Sequence, residues 1–245
     1  MMFSSSFFRF TPVVVAVFLF LLTSDALSRS SKWDDLKEIK GEVTSVVDGD
    51  TIKIKTKEVV EGVAEEKVYK VRLLGIDTPE TNYMGQSQGH WGDQASQYLT
   101  NKLPIGQKVK IEFGVQKIDR YGRLLGHVWK GKTHVNRLVL SKGLAVNYCI
   151  YPEVKYCKDF ALVTRDNISR KKGFYSDSDF VIPYEWRRVV SERPYEKYVG
   201  SLFTEIVYEP DQVETIPVSD RIFFFEREDV QPPFRLEDMI WFLLN

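Results

Sequence analysis

The sequence is poor in the residues that build soft-metal centres, with only two cysteines and three histidines in 245 positions. Cys149 and Cys157 have no histidine close enough in sequence to complete a ligand set, so a Cys/His metal site is not expected. Two cysteines this close fit a disulfide if the chain is exported, and fit two buried thiols equally well. There is no internal repeat and no low-complexity segment, which leaves solenoids and disordered linkers aside. The formal net charge is zero, a poor match to a polyanion partner at first sight.

That zero is a sum of two unlike parts. Residues 41–176 hold 22 Lys/Arg against 15 Asp/Glu, whereas residues 177–245 hold 7 against 15. A basic domain attracts nucleic acid by steering and counterion release, although two differently solvated surfaces would give the same split. At the start, Arg9 precedes the apolar run Thr11–Leu22, and Ser24-Asp25-Ala26 follows with small residues. This pattern describes a secretory signal over 1–26 and predicts a secreted or periplasmic protein. The alternative is a membrane anchor at 12–22, but the run is shorter than the roughly 20 residues a spanning helix needs.

After a polar lead-in at 27–40, period-2 alternation predicts strands at Gly41–Val47, Thr51–Thr56 and Lys67–Leu74, then at Lys108–Phe113 and Leu124–Trp129. Helical spacing predicts helices over 93–103, near Val135–Lys142 and near Asp159–Lys172, the last two ended by Gly143 and Gly173. Five short strands with helices between and after them predict an α+β fold, mainly β: a partly open barrel of the OB type.

Chemistry-bearing residues cluster at the strand ends. Asp48-Gly49-Asp50-Thr51 reads as a hairpin turn, and Asp77-Thr78-Pro79-Glu80 as the exit from the third strand. Each is an ordinary turn in isolation. In a closed sheet, Asp50 and Asp77 come side by side, and two carboxylates with a backbone carbonyl and water make the hard oxygen set that calcium accepts. Arg72 lies in the third strand and Arg123 in the turn Asp119-Arg120-Tyr121-Gly122-Arg123. A strand arginine often only packs its stem. Two guanidiniums beside a divalent cation would instead suit a phosphodiester.

Taken together, Val47-Asp48-Gly49-Asp50-Thr51, Val71–Glu80, Asp119–Arg123 and Leu138–Ala145 make the chain resemble the staphylococcal nuclease family over about 41–176. The resemblance implies an OB-fold barrel with three helices, one Ca²⁺, and hydrolysis of DNA and RNA that leaves 3′-phosphate ends. It implies Asp50, Asp77 and the Thr78 carbonyl as metal ligands, Glu80 as general base, and Arg72 and Arg123 as phosphate clamps. Arg120, Tyr121, Tyr148 and Tyr151 correspond to positions near the nucleotide. All five catalytic positions are filled, unlike those of non-catalytic OB modules that only bind nucleic acid or protein. A monomer without a stable protein partner is expected.

Beyond 176, Pro183–Arg188 resembles the ending of extended members of the family, and its Glu185, Trp186, Arg187 and Arg188 read as a buried cation–π or ion-pair anchor outside the chemistry. Residues 195–236 resemble the zinc module of adaptive-response repair proteins without its cysteine pairs, so a zinc-free β-hairpin is expected there. The apolar-rich stretch Phe234–Leu244 predicts a terminal helix.

Overall fold

Alternating apolar residues drive the first half of the chain into a closed sheet. The computed structural model describes residues 32–60 and 63–237. The export segment 1–26, with its alternative anchor at 12–22, lies outside the described residues. Strand β1 (Glu38–Val46) pairs with β2 (Thr51–Val60), which forms a long hairpin with β3 (Val63–Leu73). Strand β4 (Gly75–Asp77), helix α1 (His90–Lys102), and strands β5 (Lys108–Ile118) and β6 (Leu124–Lys130) follow. The order β3-β2-β1-β5-β6 closes on itself because β3 also runs parallel to β6, with Val71 opposite Leu124 and Leu73 opposite Gly126. All five expected barrel strands are present. Strand β1 starts three residues earlier than alternation predicts, and the hairpin of β2 and β3 runs further than expected on both sides.

Inward side chains fill the barrel: Ile52, Ile54, Val71, Leu73, Ile111, Leu124 and Val128 are all buried. The short strand β7 (Thr133–His134) leads to helix α2 (Val135–Leu140); after strand β8 (Val146–Ile150) comes helix α3 (Cys157–Ser169). Ala95 and Leu99 of α1, Val139 and Leu140 of α2, and Phe160 of α3 extend the same core. Trp33, from the expected lead-in, also belongs to it, edge-on to Tyr69 at 5.0 Å. Gly143 and Gly173 cross where α2 ends and the chain leaves α3. Both have positive φ, and a Cβ on Gly143 would sit 2.2 Å from the Lys172 carbonyl oxygen.

The extension does not stand apart from this body. Helix α4 (Pro183–Ser191) precedes β9 (Tyr198–Ser201), β10 (Ile206–Tyr208), β11 (Arg221–Phe224) and β12 (Arg235–Leu236). They complete a second sheet of order β12-β10-β9-β11-β8-β4. The seam is the parallel pairing of β11 with β8, Ile222 opposite Cys149 and Phe223 opposite Ile150. One apolar cluster at this sheet holds Cys149, Cys157, Leu202, Ile222, Phe224 and Phe234, and another holds Tyr184, Val199, Val213, Ile216 and Phe223. Cys149 and Cys157 form a disulfide that joins the end of β8 to the start of α3. The expected hairpin is the antiparallel pair β9–β10. The expected terminal helix is corrected at its start. Phe234 is buried outside any helix, and Arg235 and Leu236 pair in parallel with β10, because Leu236 finds a sheet edge to cover. Residues 238–244 of that expected helix lie outside the described residues.

Candidate active site

The β1–β2 turn brings the first carboxylate to the barrel rim. The Asp50 amide donates to Asp48 Oδ1 at 3.0 Å, a local turn that aims the Asp50 side chain inward. Gly49 has no room for a side chain, since a Cβ would lie 2.7 Å from both Ala95 Cβ and Thr78 Oγ1. Its lack of one lets the turn close against Thr78. Asp50 Oδ2 then accepts from the Thr78 amide at 2.9 Å and the Thr78 hydroxyl at 3.1 Å.

Strand β3 supplies the cation. Arg72 pairs in register with Thr51, so its side chain emerges beside the turn. One terminal nitrogen lies against Asp50 Oδ2, and the other donates to Asp77 Oδ1 at 2.9 Å. A single buried guanidinium thus ties together the two aspartates expected to meet. Pro79 turns the chain out of β4, and Glu80 follows, held through its backbone. Its amide donates to Gln88 Oε1 at 3.0 Å, and its carbonyl accepts from the Gln88 amide at 2.8 Å.

The charged groups at this site are mostly acidic, and the two aspartates are buried. Burial pushes the Asp50 carboxyl up to about 7, with Arg72 opposing and the neighbouring charges of Asp48 and Asp77 adding to the rise. Glu80 is also raised, first by burial and then by Asp77, against the pull of Arg187. Arg72 is held above its ordinary value because Asp50, Asp77 and Asp48 together outweigh the cost of its burial.

Arg187 forms a buried ion-pair anchor, as expected of its segment, but sequence reasoning did not supply its partners. Helix α4 aims it into the carboxylates of the candidate site. Its Nη2 lies 2.7 Å from Asp77 Oδ2, and its Nη1 lies 3.1 Å from Asp77 Oδ1 and 2.6 Å from Glu80 Oε1. The anchor reading also describes its neighbours. Glu185 pairs with Arg221 at 2.7 Å, and the Arg188 guanidinium lies 5.3 Å from the Tyr184 ring centre. Trp186 meets Tyr83 at 6.2 Å. The loop Tyr83–Trp91 is tied to the same segment, since Gln88 Nε2 donates to the Val181 carbonyl at 2.8 Å and Trp91 Nε1 donates to Asp177 at 3.2 Å. The clue in the sequence was two arginines beside a Glu-Trp pair, with nothing to say which one turns inward.

None of the remaining candidates is paired with these carboxylates, although Tyr148 lies near enough to Arg187 and Asp77 to feel their charges. Arg123, at the entrance to β6, donates from Nε to Asp119 Oδ2 at 2.8 Å. Arg120 and Arg123 flank the exposed Tyr121 ring at 5.0 and 5.5 Å. Neither arginine is paired with Asp50, Asp77 or Glu80. Tyr148 is packed against Phe223 at 5.0 Å and Tyr184 at 5.7 Å, with its hydroxyl raised to about 12 by burial. Tyr151 is stacked on Phe224 at 5.2 Å.

Comparison with known proteins shows the family. The family model of staphylococcal nuclease homologues matches residues 70–177. The thermonuclease of Staphylococcus hyicus is 30% identical over 169 residues, which cover 67% of this chain and 95% of that protein. The chain belongs to the staphylococcal nuclease family. By family it is a hydrolase of the nuclease type. The thermonuclease of Staphylococcus intermedius is 31% identical over 147 residues, 59% of this chain and 79% of its own length. Endonuclease YhcR of Bacillus subtilis (strain 168) is 31% identical over 205 residues. That match takes in 79% of this chain, more than residues 41–176 supply, but spans only 16% of YhcR.

Proposed function

We propose that the chain is a calcium-dependent nuclease that hydrolyses phosphodiester bonds of DNA and RNA by attack of water on phosphorus, leaving 3′-phosphate ends. The observation that carries this reading is the convergence of Asp50, Asp77, Thr78, Glu80 and Arg72 at one end of a closed barrel. The donor set suits a hard cation, being made of oxygens alone. At Asp50, burial and the neighbouring charges of Asp48 and Asp77 outweigh Arg72, so its carboxyl is raised and would gain from a further cation. Among the described residues no group of three or more His, Cys, Asp or Glu side chains is set to hold a metal. Asp50 and Asp77 would therefore share the ion with the Thr78 carbonyl and water. Bound there, calcium supplies Lewis-acid polarisation of the phosphate and a template for it.

The chain's own residues supply the rest. Glu80 accepts a proton from the attacking water or orients it. Arg72 neutralises charge that builds on the phosphate oxygens. Arg123 exchanges its Asp119 partner for a phosphate oxygen, a swap that suits a planar, permanently charged fork. Arg120 and Tyr121 on the same turn flank the nucleotide. The basic region 41–176 draws the polyanion in.

The test is digestion of plasmid and single-stranded DNA with calcium or with a chelator. Calcium-dependent cleavage is expected, and its absence would sink the proposal, leaving a non-catalytic binding module. Glu80→Ser and Arg123→Gly should each lower turnover by about 10²-fold or more while circular dichroism is unchanged. Near-normal turnover would remove these two residues from their assigned roles. Export through residues 1–26 belongs to the same proposal, and mass spectrometry of the mature N-terminus tests it.

A further inference from the structure

The carboxylate site contains a residue that its expected machinery does not use. Arg187 comes from α4, in the extension, 107 residues beyond Glu80. Its side chain is mostly buried, 17% exposed, and both its terminal nitrogens are engaged by two carboxylates. Both Asp77 oxygens and one Glu80 oxygen receive it. A long Glu side chain at a pocket rim has several rotamers to choose from, and a charge-assisted contact at 2.6 Å selects one of them. The backbone of Glu80 is held separately by Gln88, which in turn reaches the Val181 carbonyl of the segment leading into α4. Both the main chain and the side chain of Glu80 are therefore set, directly or through one residue, by the extension.

We propose that Arg187 is a positioning residue for the hydrolytic reaction, holding the Glu80 carboxylate at a fixed place relative to Asp77 and so to the attacking water. The inference rests on the nuclease reading. Two features of the pocket favour positioning over simple ion pairing. A lone structural ion pair needs one partner, whereas Arg187 bridges the carboxylate assigned to the metal and the carboxylate assigned to the water. Arg72 also already touches both aspartates, so Asp77 has a cation without Arg187. What Arg187 adds is the link to Glu80.

The same geometry makes the two expected effects of removing it point in opposite directions. Without the Arg187 charge, Glu80 loses its fixed place and catalysis weakens. The carboxylates also lose a competing positive charge, so a divalent cation binds them more tightly. A merely structural role would weaken both.

The experiment uses the full-length chain, with Arg187→Gln and Arg187→Lys. Calcium-dependent DNA cleavage gives kcat and KM, calorimetric titration with calcium alone gives its affinity, and thermal unfolding in chelator reports on folding. For Arg187→Gln, kcat is expected to fall by about 10²-fold with KM within about threefold, while calcium binds up to about tenfold more tightly. Arg187→Lys keeps the charge but not the fork, so calcium affinity should match the wild type, with kcat between the other two. Wild-type kcat in both variants would overturn the proposal. So would an increase in kcat, which would make Arg187 an inhibitory plug of the cation site. A parallel loss of kcat, calcium binding and thermal stability in both would also overturn it, reducing Arg187 to a structural pair. If Arg187→Gln does not fold, Arg187→Lys decides by the same criteria. An inactive wild-type chain would refute the nuclease reading instead, and that control is run in the same assay.

Discussion

Asp50 is a buried carboxylate whose pairing with Arg72 does not offset its burial and its acidic neighbours. Burial lifts it to about 7 from an ordinary value of 3.8. Without calcium, the folded chain keeps this proton between those two values, where the unfolded chain has released it. The contribution to stability is therefore full below about pH 4 and is lost as the pH rises through about 7. Glu80, also raised, works in the same direction. Asp50→Asn removes the charge and keeps an oxygen for the Thr78 amide. In chelator it should raise the melting temperature at pH 8, and raise it less at pH 5. Calcium should no longer stabilise the variant, as differential scanning calorimetry would show. At this scale the sequence was most legible where function depends on short local motifs. Asp50, Asp77, Thr78 and Glu80 all sit at or next to strand ends, so their spacing is nearly fixed by the backbone. Arg187 was not legible, because its partners lie 110 and 107 residues away and only the packing of α4 brings them together.

Elements were legible in proportion to their periodicity. The five barrel strands alternate over several residues and were found with errors only at their ends. Strands β4, β8, β11 and β12 are two to five residues long and mostly buried, so they carry no clean alternation to read. The C-terminal stretch from Phe234 looked helical because it is rich in apolar residues, but its first residues meet an open sheet edge and pair there. The disulfide acts at this scale. It closes a loop of 8 residues between β8 and α3, within an apolar cluster shared with the extension. Constraining so short a loop in the unfolded chain contributes about 2–3 kcal/mol. Replacing both Cys149 and Cys157 by Ser should lower the unfolding free energy by that amount in a urea titration, with the carboxylate site still formed.

At the scale of the whole molecule, the sheet that runs from β4 to β12 crosses the boundary that composition draws at 176. Strand β8 has β4 on one side and β11 on the other. A chain cut after residue 176 loses β11 and lays bare one edge of β8, along with the apolar faces that Ile222, Phe223 and Phe224 cover. The truncated chain should melt more than about 10 °C lower than the full chain, or fail to unfold cooperatively, when heated in a calorimeter. The charge contrast between 41–176 and 177–245 therefore divides the surface of one continuous body. The positive excess lies in the part of that body that carries the barrel.

The position of Arg187 also has a consequence in time. A chain is made from its N-terminus, so Asp77 and Glu80 exist long before Arg187. Helix α4 in turn packs against a sheet whose strand β11 ends only at Phe224. The cluster is complete only once α4 and β11 have been synthesised, and the last piece to arrive is the one that links Glu80 to Asp77.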